Sequence, residues 1–159
     1  MRKRLYIMLF ILLSFIGFKQ GAQAQTITVT GNWSLIIGLS DLQGGAGSDF
    51  NPTYESAVDQ IIIDIQGKKT TNWRVDVSKD DITWDSRMLL YVRRTSDGTG
   101  PGSISGGLTY QQITEVDQEF FRGGKNRQNI HVQLKLDGIT VGIPTGTYTT
   151  TVYYTVIEI

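Results

Sequence analysis

The side chains able to do chemistry in this chain are few and scattered. His131 is the lone histidine, and there is no cysteine. A nucleophilic triad needs an imidazole or thiolate beside its nucleophile, and a transition-metal site needs several His or Cys ligands. Neither set can be assembled. His131 also alternates with Ile130, Val132 and Leu134, which places it on a solvent face. No catalytic residue, metal ligand or cofactor is assigned, and the chain reads as a non-enzyme.

Asp76, Asp80, Asp81 and Asp85 gather around a turn predicted at Lys79-Asp80-Asp81. Oxygen ligands on a turn suit Ca²⁺, but this spacing matches no loop that converges five or more oxygens. A solvated acidic turn is expected over Asp76 to Asp85. The stretches Gly44-Gly45-Ala46-Gly47 and Gly98-Thr99-Gly100-Pro101-Gly102 lack the Lys-Ser/Thr of a phosphate loop and open no helix. They read as flexible connections. Arg122-Gly-Gly-Lys-Asn-Arg127 reads as a basic hairpin tip, and Asn32-Trp33-Ser34 as a glycosylation acceptor in form only, since it falls in a predicted strand. Aromatic rings stack on sugars, but Trp33, Trp73 and Trp84 each fall on the apolar side of their own segment, as core residues do. Tyr153 and Tyr154 are neighbours, so one of them must face out, and the pair supplies the candidate exposed aromatics.

The elements that would position these residues begin after an address. Arg2, Lys3 and Arg4 precede an apolar run from Leu5 to Phe18, and Ala22-Gln-Ala24 supplies a small-x-small cleavage pattern. The apolar run reaches roughly 21 Å as a helix, short of the ~30 Å hydrocarbon core. Residues 1–24 are predicted to be a signal peptide and residues 25–159 the exported domain, in the periplasm, at the cell surface or secreted. Four of the 15 basic residues lie in the leader, which leaves 11 against 15 acidic residues and a net charge of −4. A mildly acidic surface speaks against nucleic acid and anionic membranes as partners. No second apolar segment of spanning length follows, so stable membrane insertion after leader removal is not expected.

The exported part reads as strands. β-branched and aromatic residues alternate with polar ones between Gly-rich or Asn/Asp-rich breaks. Strands are predicted at Thr26 to Thr30, at Trp33 to Leu39 with Trp33, Leu35, Ile37 and Leu39 on one face, and at Val58 to Ile65. Another is predicted around Trp73, Val75 and Val77. A long bent strand carries Ile82, Trp84, Met88, Leu90 and Val92, with the bend at Ser86. The cleanest alternation runs from Asn129 to Asp137, and the last strand from about Thr147 to Glu158. Weaker segments at Ile104–Tyr110 and Gln112–Val116 bring the total to seven to nine strands, with one short helical turn at Pro52 to Val58. One apolar and one polar face per strand predicts a single all-β antiparallel β-sandwich. An outer-membrane barrel is disfavoured, because Ile61-Ile62-Ile63 and Met88-Leu89-Leu90 break the required alternation.

Ile143-Pro144-Thr145-Gly146-Thr147-Tyr148 before a terminal strand, Arg87-Met88 on a strand, and Leu108-Thr109-Tyr110 after a Gly-rich insertion resemble positions in the spore coat protein U family. That family includes subunits of archaic chaperone–usher pili. The chain departs from it in having no cysteine, where members commonly carry a disulfide. The resemblance covers roughly the C-terminal half and implies an Ig-like, pilin-like sandwich with an exposed edge, assembling by strand addition with itself or related subunits and handled by a periplasmic chaperone. Gln25 to Thr30, with Ile27 and Val29 alternating with threonines, either supplies a donor strand or pairs within its own sheet. The expected function is a non-enzymatic structural or adhesive surface subunit. The alternative is a monomeric carbohydrate- or ligand-binding sandwich.

Overall fold

A computed structural model describes residues 25–67 and 71–159. The leader predicted over residues 1–24 lies outside the described residues. Ten strands among the described residues form two antiparallel sheets. The six-stranded sheet holds β1 (Thr26–Thr30), β2 (Thr53–Glu55), β3 (Ile61–Gln66), β5 (Leu89–Arg94), β7 (Gln111–Gln112) and β9 (Arg127–Asp137) in the order β1-β3-β9-β5-β7, with β2 on β9. The four-stranded sheet holds β4 (Asn72–Thr83), β6 (Ile104–Gly106), β8 (Gln118–Gly124) and β10 (Thr149–Glu158) in the order β10-β4-β8-β6. β2 and β3 share one edge of β9 end to end, Glu55 opposite Lys135 and Ile61 opposite Val132, while β5 takes the other edge. Both sheets end in free edges, so the strands form a sandwich and not a closed barrel.

Period-two alternation builds the core between the sheets. Ile61, Ile63 and Ile65, with Val92, Ile130 and Val132, face Trp73, Val75, Val77 and Phe121. Burying each such side chain contributes roughly 1.5–3 kcal/mol. Phe121 meets the Trp73 ring edge-on at 6.0 Å. A second cluster of Met88, Leu136 and Ile139, covered by Trp33, Ile37, Phe50, Tyr54 and Tyr148, fills one end.

Several strand expectations are corrected. Trp33 to Leu39 is not a strand: it runs irregularly into a 3-10 turn at Leu39–Asp41, with Trp33 and Ile37 turned inward and Ile36 and Leu39 at 91% and 85% exposure. Gly31, at φ +117°, turns the chain off the sheet after β1, and a Cβ there would lie 2.2 Å from the Gln60 carbonyl oxygen. The long bent strand is two strands in different sheets, because Ser86 sits in a crossover. Its corner is closed by the Trp84 indole N–H donating to the Met88 carbonyl at 2.8 Å. Pro52 to Val58 is not helical; it contains β2, and the ladder is prolonged by Ser56 N–H donating to Leu134 O at 2.9 Å. β3 starts at Ile61, leaving Val58 exposed, and the segments 104–110 and 112–116 shrink to β6 and the two-residue β7. Beyond β7 the chain passes between the sheets: Ile113 N–H donates to Leu90 O, and Thr114 O accepts from Lys79 N–H.

Two bulges hide elements from a parity reading. Val75 pairs with Phe121 but Asp76 pairs with Glu119, so Phe120 is the extra residue and both adjacent phenylalanines turn inward. That bulge breaks the alternation of β8, so the period-two pattern does not predict this strand. In β9, Ile63 faces Ile130 but Ile65 faces Arg127. The extra residue there is accommodated at Asn129, whose φ is +57° and whose N–H donates to Asp64 at 2.7 Å. That shift turns Arg127 inward.

Candidate functional site

Two features stand out from the scaffold: a pair of unpaired sheet edges, and an ordered polar face. β10 pairs with β4 along one edge, from Thr150 opposite Asp81 to Glu158 opposite Trp73, and ends its sheet on the other. Its alternation is simple. Val152, Tyr154 and Val156 pack on the core, while Thr151, Tyr153 and Thr155 face solvent. The strand carries no lysine, arginine or proline, and its single charge is Glu158. β1 ends the other sheet and lies beside β10 without forming a ladder with it.

The predicted site residues distribute as follows. Ile27 and Val29 pair with Ile65 and Ile63 inside their own sheet; Ile27 packs against the core and Val29 is exposed. Tyr153 is exposed, whereas Tyr154 is a correction to the exposed pair. Its ring is tilted against Phe120 at 6.3 Å, and its buried hydroxyl has no hydrogen-bond partner among the described residues. Burial pushes that phenol well above its usual range. Trp73 is fully buried and donates its indole N–H to Lys125 O at 2.7 Å; Trp33 and Trp84 are half-buried against the core.

The acidic residues do not form a turn. Asp80 and Asp81 lie within β4, and Asp76, Asp81 and Asp85 each pair with a cation two residues away: Arg74, Lys79 and Arg87. Among the described residues, no group of three or more His, Asp or Glu side chains is placed to hold a metal ion. Arg87 forks onto Asp85 with bonds of 2.8 and 2.6 Å, and these hydrogen bonds hold the carboxyl at about 2. The Arg122–Arg127 segment is the β8–β9 hairpin, with Lys125 at φ +61°. Arg122 pairs with Glu119.

The second glycine-rich stretch is not a free connection. Gly98 has φ +63°, and a Cβ there would come within 2.3 Å of the Gln128 carbonyl oxygen, because Thr99 and Gln128 exchange backbone hydrogen bonds of 2.7 and 2.8 Å. Two buried arginines hold the loop by its carbonyls. Arg127 Nη1 reaches Gly100 O at 2.6 Å, and Arg94 reaches Ser96 O at 3.1 Å and Gly106 O at 3.0 Å.

Sequence reasoning saw the polar side of β9 but not what it assembles. On the outer face of the six-stranded sheet, cross-strand pairing sets Glu55, Lys135 and Tyr91 in one row and Gln133 beside Arg93 in the next. Lys135 Nζ lies 4.4 Å from the centre of the Tyr91 ring and 5.0 Å from that of Tyr110, and pairs with Asp137 at 2.7 Å. Arg93 lies 4.6 Å over Tyr110 and forks onto the Gln133 amide oxygen at 3.0 and 2.8 Å. Gln133 is buried and gives its Nε2 to Ser56 O at 2.7 Å, which fixes the amide with its oxygen toward Arg93. Burial pushes the Tyr110 phenol up to about 12; the Arg93 charge opposes this and the Glu55 charge adds to it. The signal was the alternation Tyr91-x-Arg93 set against His131-x-Gln133-x-Lys135, which becomes a ladder only once β5 and β9 are paired. Cations thus lie over the rings of both Tyr91 and Tyr110.

Compared with protein-family models, with curated proteins and with solved structures, the chain finds no match.

Proposed function

We propose that the chain is an exported, non-enzymatic structural or adhesive surface subunit that associates with copies of itself or related subunits through its sheet edges. What supports this reading is β10. Natural sheets blunt their edges with lysine, proline, bulges or short strands. β10 runs ten residues with none of the first two and with a register shift only at Thr149/Thr150. Its unpaired backbone and its outward Thr151, Tyr153 and Thr155 form a template for an added strand. β1, at the adjoining edge of the other sheet, supplies a short amphipathic strand of the same kind.

Size-exclusion chromatography and electron microscopy of residues 25–159, with and without residues 25–30, test the part played by β1. The double substitution Thr151→Lys/Thr155→Lys tests β10 on a face that the core does not use. Higher-order species from the parent, reduced at least several-fold by the lysine pair at an unchanged urea midpoint, are expected. Assembly that is equally present or equally absent in all three proteins defeats the reading. The alternative, monomeric carbohydrate binding, draws on Tyr153, and a glycan array with Tyr153→Ala addresses it.

A further inference from the structure

We infer that a cleft on the outer face of the six-stranded sheet, beside Arg93 and His131, binds a small carboxylate that carries an aliphatic group. The cleft measures about 420 Å³ and is lined by Val58, Arg93, Arg94, Thr95, Leu108 and His131. It is separate from the β1 and β10 edges, so it stands or falls independently of the assembly reading.

Three observations carry the inference. The first is charge. Among the described residues no carboxylate forms an ion pair with Arg93; its fork is held by the neutral Gln133 amide, and Glu55 sits at that amide's other end, 3.4 Å from Nε2. The His131 ring likewise makes no hydrogen bond among the described residues; it is the His131 backbone N–H that donates to Ser96 Oγ, at 3.0 Å. A fixed guanidinium with no direct ion pair among the described residues is a place where an anion gains charge-assisted hydrogen bonds.

The second is the apolar rim. Val58 and Leu108 are 56% and 61% exposed, both on the wall of the same cleft that holds the cation. Apolar walls beside one convergent polar group are the usual makeup of a small-molecule site.

The third is rigidity. The Val58 carbonyl accepts from the Thr95 hydroxyl, and the Leu108 wall is held at its root by Arg94 N–H donating to Gly107 O at 2.5 Å and Arg94 Nε to Gly106 O at 3.0 Å. A wall that is already placed does not need ordering when a ligand arrives. Gln133 occupies Nε and one Nη2 hydrogen of Arg93, so the Nη1 side is what remains for a ligand, and one such guanidinium edge fits a monoanionic carboxylate better than a phosphate, which calls for more donors.

Such a ligand occurs in two forms, a free acyl chain or the C-terminal residue of a peptide. Heteronuclear NMR on the protein, titrated separately with octanoate, N-acetyl-leucine, 1-octanol and octylamine, distinguishes them. Saturable shifts at the Arg93 side chain, the His131 ring and the Val58 and Leu108 methyls are expected with at least one acid. Binding by octanoate alone assigns the acyl source, by N-acetyl-leucine alone the peptide source, and by both the shared chemistry. Arg93→Gln should weaken that binding about tenfold, as the loss of one charge-assisted contact implies. Arg93→Lys, which keeps the charge, and Leu108→Ser, at an exposed site, should each weaken it less, and they decide the matter if Arg93→Gln does not fold. The inference is overturned if neither acid saturates any of these signals, or if octanol binds as tightly as octanoate and the Arg93 variants leave binding unchanged.

Discussion

At the scale of single residues, Tyr154 shows how a sequence rule holds in kind and fails in detail. Of two adjacent residues on a strand one must face out, and Tyr153 does; the other carries its hydroxyl into the sandwich with no partner among the described residues. An unsatisfied buried hydroxyl costs about 1–3 kcal/mol. Tyr154→Phe should therefore raise stability by about 1 kcal/mol, read as a higher urea midpoint at unchanged slope. A lower midpoint would mean that the hydroxyl is satisfied. Tyr110 leads to a pH prediction. Its phenol titrates at about 12 when folded, against roughly 10 when unfolded. Folding is favoured fully below pH ~10, and this contribution is lost as pH rises from about 10 to 12, where the unfolded chain releases the proton first. The phenolate absorbance of the folded protein should lose a step near pH 12 in Tyr110→Phe, whose stability should decline less over that window.

At the scale of elements, the glycine-rich stretch at residues 98–102 is the sharpest reversal. Glycine and proline content alone reads as slack, whereas here positive φ and close backbone approach demand glycine, and Arg94 and Arg127 fasten the segment by its carbonyls. Gly98→Ala should cost about 1–3 kcal/mol, the strain of an L-residue in that conformation plus the contact with Gln128 O. Urea unfolding checks it, and a change within a few tenths of a kcal/mol would show that the loop gives way freely. A bulge in β9 explains why Arg127 is buried: one extra residue at Asn129 reverses the parity of everything before it in that strand. A reader of period two cannot see this, because a bulge leaves composition unchanged.

At the scale of the whole molecule, loops that are far apart in sequence are tied together by carboxylates. Asp49 accepts from Val141 N–H at 2.8 Å, Phe50 N–H at 2.9 Å and the Thr140 hydroxyl at 3.0 Å, and the backbone bonds from Val141 and Phe50 hold its carboxyl below the usual range. Arg87 does the same for Asp85. Burial raises Asp137, but hydrogen bonds from Lys135 and Thr53 outweigh it and the net shift is downward. Each of these groups favours the fold above the unfolded carboxylate value of about 4, and the contribution is lost as pH falls from there toward 2. The urea midpoint should fall across that window, and the fall should be smaller in Asp49→Asn. An unchanged profile in that variant would show that the Asp49 tether does not bear on stability.

The sequence by itself determined the class of fold. The period-two runs around Ile61–Ile65, Trp73–Val77 and Ile130–Leu136 have no other packed solution than paired strands with one face buried, and they require no partner to be legible. It also determined that one of Tyr153 and Tyr154 faces solvent. Only the tertiary structure decided which sheet each strand joins, where Ser86 takes the chain across, which residues the bulges at Phe120 and Asn129 turn inward, and that Tyr91, Arg93, Tyr110, Gln133 and Lys135 form one surface. These depend on pairing between segments tens of residues apart. Local propensity carries no information about that register, because every candidate pairing satisfies the same alternation until the whole core is packed.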